Sequence, residues 1–263
     1  MLETPAPPAD ARMAYGDITH QFGDLRLPRG AGPHPVVVMV HGGFWRARYD
    51  LEHVGHLCAD LTHRGYATWS LEYRRIGHPG GGWTGTFEDV ARGLDHVRAL
   101  ATHYPLDLKR VVVMGHSAGG HLALWLAGRK RLKPGQPLYD AHPLELRGAV
   151  SLAGVTDLER AFELRLSGGV VESLLGGTPQ QVPERYKLAS PAALLPLGVK
   201  QVLVHGTEDS IVPYSLSQGY YERAHALGDP VRLVELKGAE HFDVIDPRGK
   251  EWPRIVEAVA SLV

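Results

Sequence analysis

From Val111 the chain runs Val-Val-Val-Met directly into Gly115-His116-Ser117-Ala118-Gly119-Gly120, and an apolar helical pattern (Leu122, Ala123, Leu126, Ala127) begins at once. A β-branched run ended by glycines and followed by helix-period residues reads as strand, sharp turn, helix. That succession constrains the fold strongly, because a strand feeding straight into a helix belongs to a sheet covered by helices. It also constrains the chemistry. A serine hydroxyl is a poor nucleophile near neutral pH, so an enzyme that uses one holds it in a tight turn, open to a base and to backbone amides. The glycines two places before and after Ser117 free the chain to make that turn. Alone, the five-residue pattern also fits an ordinary serine in a glycine-rich turn. Its place between a buried-strand run and a helix makes Ser117 the candidate nucleophile.

Partners follow in order. The apolar run from Gln201 to Val204 ends in His205-Gly206-Thr207-Glu208-Asp209, and the run from Val231 to Leu236 ends in Lys237-Gly238-Ala239-Glu240-His241-Phe242. Each puts a candidate just past the C-terminal end of a strand, the edge where open α/β sheets collect ligands and catalytic groups. With 15 histidines in the chain, one histidine after one strand means little. The joint order Ser117, Asp209, His241 decides for nucleophile, acid and base. Asp157 also follows a strand, but Asp209 is preferred because its strand immediately precedes the one that delivers His241. A further run, Pro35 to Val40, opens into His41-Gly42-Gly43-Phe44-Trp45. Acyl transfer builds negative charge on the former carbonyl oxygen, and preorganised N–H groups aimed there stabilise it. The N–H of Ala118 and those of Gly43 and Phe44 are the expected oxyanion hole. His41 and His121 are read as braces of the two loops, and Trp45 and His116 as candidate substrate-binding residues, with Trp83 a further aromatic beside glycines.

The motifs HGGFW, GHSAGGHLALWL, HGTEDSIVP and AEHFDVIDP resemble the α/β-hydrolase superfamily, and within it the single-domain serine esterases grouped near kynurenine formamidases and near the catalytic domain of prolyl oligopeptidases. The resemblance runs from about Tyr15 to the C-terminus. It implies the α/β-hydrolase fold, a mostly parallel twisted sheet with helices on both faces, and it puts the family's nucleophile, acid and base on Ser117, Asp209 and His241. One departure stands at position 44, where hormone-sensitive-lipase-like esterases carry a third glycine and this chain has Phe. The implied activity is a serine carboxylesterase acting on short- to medium-chain esters through an acyl-enzyme. The alternatives are an arylformamidase and, more remotely, a prolyl oligopeptidase-like peptidase or a non-catalytic binding protein of the same fold.

At 263 residues the chain fits one α/β domain, expected over 15–263 behind a disordered tail at 1–14 that carries three prolines in its first eight residues. A formal net charge of −1 gives no basic footprint for nucleic acid, and no apolar stretch is long enough for a bilayer. No metal and no cofactor is expected: His53, His56, His63, His96 and His103 share no ligand spacing, and Gly80-Gly81-Gly82 lacks the ending of a phosphate loop. The single cysteine, Cys58, reads as a small apolar packer. A small-molecule ester is the expected partner, a homodimer is allowed, and the expected location is cytoplasmic. The remaining pattern predicts a hairpin over residues 15–28, helices at 50–64 and from Thr86 (capped by Thr86 and Asp89), strands at 66–71, 107–113 and 147–153, a surface loop at 129–143 and a helix through Trp252, Ile255, Val256 and Val259. Residues 158–196 interrupt the alternation. In α/β hydrolases an insertion at this point forms a cap or lid, so the resemblance implies that role here.

Overall fold

The computed structural model describes residues 4–263. Eight strands form one sheet: β1 (Ala11–Ala14), β2 (Phe22–Arg26), β3 (His34–Val40), β4 (Ala67–Leu71), β5 (Leu106–His116), β6 (Gly148–Leu152), β7 (Lys200–Gly206) and β8 (Val231–Leu236), in the order β1-β2-β4-β3-β5-β6-β7-β8. β1, β2 and β4 pair antiparallel, and every pairing from β4 through β8 is parallel. The helices are α1 (Gly55–His63), α2 (Gly85–Asp95), α3 (Val97–Leu100), α4 (Ala118–Gly128), α5 (Leu158–Glu163), α6 (Val170–Leu175), α7 (Pro183–Ala189), α8 (Pro191–Leu194), α9 (Ser215–Ala226) and α10 (Trp252–Ala260).

Alternation along the central strands divides the core. Val36, Val38, Val40, Val111 and Val113 point to one face, where they pack with Phe87, Leu122, Trp125 and the apolar residues of 158–196. Val37, Met39, Val112 and Met114 point to the other, against Leu57 and Leu61 of α1 and Ile255 and Val259 of α10. A strand buried on both faces reads as an unbroken apolar run rather than an alternating one, which is why these strands stood out in the sequence. α4 is buried along its whole length. It lies on the sheet because Gly119 has no side chain: a Cβ there would meet Val40 O at 2.0 Å.

Two expectations are corrected. The first strand begins at Ala11, inside the stretch read as tail, because Ala11–Ala14 finds an antiparallel partner in Phe22–Leu25; residues 1–3 lie outside the described residues. Thr86 and Asp89 do not cap α2. Thr86 Oγ1 donates to Arg74 O, and the fully buried Asp89 carboxylate accepts from Arg74 Nη2 at 2.7 Å and Gln21 Nε2 at 2.6 Å. A buried carboxylate requires a charged partner more than a helix start requires a cap.

Candidate active site

β3 lies beside β5, and β7 beside β8, so the four motif-bearing loops leave the same edge of the sheet. Ser117 stands between β5 and α4 at φ 58° and ψ −120°, a left-handed position for a residue with a side chain. Such strain persists only where the surroundings over-determine it. Here Ser117 N–H donates to Leu152 O at 2.8 Å, Ser117 O accepts from His121 N, and a Cβ at Gly115 would meet Gly119 O at 2.0 Å. The first loop presses directly on this turn, since a Cβ at Gly42 would meet His116 O at 2.7 Å and Ser117 Cβ at 3.0 Å. Gly43, Phe44 and Trp45 then follow at φ 105°, 51° and 54°. That succession of positive φ turns the backbone sharply. Among the described hydrogen bonds the N–H groups of Gly43, Phe44 and Ala118 have no partner, whereas that of Gly42 meets His53 Nε2 at 3.4 Å.

Across the cleft, His241 Nδ1 donates to Asp209 Oδ2 at 2.7 Å. Asp209 Oδ1 accepts from the N–H groups of Ile211 and Val212 at 2.9 and 2.8 Å, and Oδ2 accepts a second imidazole, His205 Nε2, at 3.1 Å. Burial by itself would raise the Asp209 pKa. The hydrogen bonds from His205 and His241 outweigh it and hold the carboxylate well below its usual range. His116 Nε2 donates to the backbone O of His241 at 3.1 Å, and its ring lies 4.7 Å from the His241 ring. Burial, then the neighbouring His241, keep His116 neutral well below the ordinary imidazole range; burial, then His41, lower His53 to about 4.

A cavity of about 140 Å³ opens here, lined by Gly43, Phe44, Tyr49, His53, His116, Ser117, Ile211, His241 and Phe242. Ser117, His241, Gly43 and Phe44 therefore border one cavity. Trp45 does not belong to it. Its indole is fully buried and donates to His121 Nδ1 at 3.2 Å, so it packs the first loop onto α4. His41 sits behind the loop, bonded to Glu72 at 3.2 Å. Asp157 is the N-cap of α5, accepting from the N–H groups of Glu159 and Arg160. No residue of 158–196 lines the cavity; instead Ser167 O accepts from Arg46 at 2.7 Å and Ala189 O bonds His121, so the insertion braces the loops from behind. Sequence reasoning set aside His53 and passed over Tyr49, Ile211 and Phe242. Their only available signal was nearness to a motif. Among the described residues no group of three or more His, Cys, Asp and Glu side chains could hold a metal ion, and no helix is long and apolar enough to cross a membrane.

The sheet order, the strained serine turn and the loops at one strand edge define an α/β-hydrolase fold. Structural likeness agrees: a carbohydrate esterase from gut microbiota superimposes with a TM-score of 0.79 (19% identity, 96% of this chain and 99% of that one), and the propionate-bound esterase of Thermogutta terrifontis with 0.78 (22% identity, 97% and 93%). The BD-FAE family model matches residues 24–223, and the chain belongs to that family. Among curated proteins it is similar to a probable isoprenylcysteine alpha-carbonyl methylesterase of Arabidopsis thaliana (27% identity, over 95% of this chain and 55% of the relative) and to esterase LipC of Mycobacterium tuberculosis (29%, over 89% and 60%). The chain thus spans between half and two thirds of those relatives' length.

Proposed function

We propose that the protein hydrolyses carboxylic esters with short acyl groups through an acyl-enzyme on Ser117. One observation carries the reading: the 2.7 Å bond from His241 Nδ1 to Asp209, with His241 and Ser117 on the wall of one cavity. Ser117 Oγ attacks the ester carbonyl while His241 Nε2 takes the hydroxyl proton, and Asp209 fixes the tautomer that leaves Nε2 free and stabilises the imidazolium. The carbonyl oxygen, now negative, receives the N–H groups of Ala118, Gly43 and Phe44. When the tetrahedral intermediate collapses, the bond to the leaving oxygen breaks and His241 returns its proton to that alcohol. Water, activated by the same imidazole, then attacks the acyl-enzyme and releases the acid. The ester-cleaving names of the similar relatives support the same class.

The cavity argues for small acyl groups. At about 140 Å³ it lies below the roughly 300–1,000 Å³ of pockets that take drug-sized ligands, which favours an acyl of a few carbons over a long chain. The same smallness favours a second reading, an arylformamidase, because formyl is the smallest acyl group. One experiment tests both: kcat/KM for p-nitrophenyl acetate, butyrate and octanoate beside N-formylkynurenine. The expected order is acetate and butyrate above octanoate, with the formyl substrate below the best ester. A formyl substrate more than about tenfold better, roughly 1.4 kcal/mol in transition-state binding, would replace the ester reading. A cytoplasmic location and a homodimer belong to the same proposal, to be checked by cell fractionation and sedimentation.

A further inference from the structure

His205, the last but one residue of β7, is fully buried and bonded at both ring nitrogens. Nε2 faces two acceptors, Asp209 Oδ2 at 3.1 Å and Val212 O at 2.9 Å, so it carries the proton. Nδ1 meets Ser217 Oγ of α9 at 2.7 Å. Asp209 Oδ2 thus serves two imidazoles from two adjacent strands, His205 from the end of β7 and His241 from beyond β8.

We propose that His205 is a positioning residue for the reaction: through its Nε2–H bond to Asp209 Oδ2 it fixes the carboxylate rotamer and moderates the pull of Asp209 on His241. The inference rests on the proposed Ser117, Asp209, His241 triad. Its physical basis is that a carboxylate oxygen divides its negative charge among the donors it accepts. Two backbone amides pin only Oδ1, so loss of His205 keeps Asp209 in the site but leaves Oδ2 less well fixed on its line to His241, which lowers kcat, and makes that oxygen more basic toward His241 alone. The imidazolium is then better stabilised, and the acid limb of kcat/KM moves to higher pH. The other groups facing the pair are accounted for. The His116 ring packs 4.7 Å from that of His241 and His53 packs against His116, burial lowering the pKa of both, and Tyr214 of the loop before α9 lies edge-on to His205 at 5.8 Å.

The test is the pH profile of kcat and KM for p-nitrophenyl acetate in four variants. His205→Asn carries its amide near the Nδ1 position, so it keeps the Ser217 contact and loses the Asp209 bond. His205→Gln extends its amide toward the Nε2 position and keeps the Asp209 bond. The Asn variant should lose about 10- to 100-fold in kcat, keep KM within about twofold, and shift its acid limb upward by roughly half a unit. The Gln variant should retain the wild-type limb and most of kcat. His205→Phe, which keeps the volume and removes both bonds, should behave like Asn and replaces it if the shorter side chain lowers stability too far. A wild-type limb in either folded variant lacking the Asp209 bond, or a Gln limb shifted as far as theirs, overturns the inference. Asp209→Asn separates the two levels. If that variant keeps more than about a tenth of wild-type turnover the triad reading itself fails, whereas collapse there with wild-type behaviour in the His205 variants removes this inference alone.

Discussion

Ser117 is held in a backbone conformation that side chains avoid, and its hydroxyl lies on a cavity wall rather than in the core. Removing that oxygen should leave the fold intact. Ser117→Ala is expected to lose at least about 10⁴-fold in ester turnover with an unchanged unfolding midpoint, and a fluorophosphonate probe should label the wild type at Ser117 alone. Labelling that persists in the variant would move the nucleophile elsewhere. The two aspartates that each follow a strand separate as sharply. Asp209→Asn should lose about 10⁴-fold, because an amide favours the wrong tautomer of His241. Asp157→Asn should be nearly silent, since Asn caps a helix as well as Asp and the bond from Arg223, 3.2 Å long at an exposed side chain, contributes little. Equal modest losses in both variants would remove Asp209 from the role of acid. The residue types and order of this set were legible in the sequence, because each follows an apolar run. His53, Tyr49 and His205 were not. Their roles come from which atoms a turn or a neighbouring strand brings within hydrogen-bond reach, and no spacing encodes that.

At the scale of elements, the site depends on how closely α4 approaches β3. Gly119→Ala puts a Cβ against Val40 O, where only 2.0 Å is available, with His41 O at 2.6 Å beyond it. Both contacts are backbone, so no side-chain rotation relieves them. The helix must move off the sheet and carry the amide of Ala118 away from those of Gly43 and Phe44. A loss of about 1–3 kcal/mol or more in stability is expected, together with a fall in kcat larger than the change in KM. Calorimetry and steady-state kinetics on the same sample check it, and a variant with wild-type midpoint and rate would show that the approach has slack. The 158–196 insertion illustrates the opposite limit of sequence reading. Its helical patterns were visible, but its position was not: Leu158, Val170, Leu174 and Tyr186 are buried in the main core, so it supports the loops instead of covering the cavity.

Across the whole molecule, burial of imidazoles ties stability to pH. His121 and His53 are lowered to about 4, each mainly by burial, and His116 is lowered well below 6.5 for the same first cause. Between the ordinary imidazole value and about 4 the unfolded chain therefore binds protons that the folded chain does not, and stability falls as pH drops through that window. The fully buried His121 alone amounts to roughly 3 kcal/mol by the bottom of it. Asp209, depressed in the folded state, adds its own loss only at lower pH, below the ordinary carboxylate range. The unfolding midpoint should fall by roughly 10 °C or more between pH 6.5 and 4.5; a flat midpoint over that interval would show that these rings are solvated in solution. The sequence by itself determined the sheet-and-helix alternation, the strand edge that carries the loops and the order of the three candidate groups, because doubly buried strands must be apolar runs and sharp turns must carry glycine. Only the tertiary structure decided that Trp45 packs inward, that His53 lines the cavity, and that His205 shares the oxygen bound by His241. Those facts depend on sheet order and on side-chain directions between segments far apart in the chain, which local pattern does not specify.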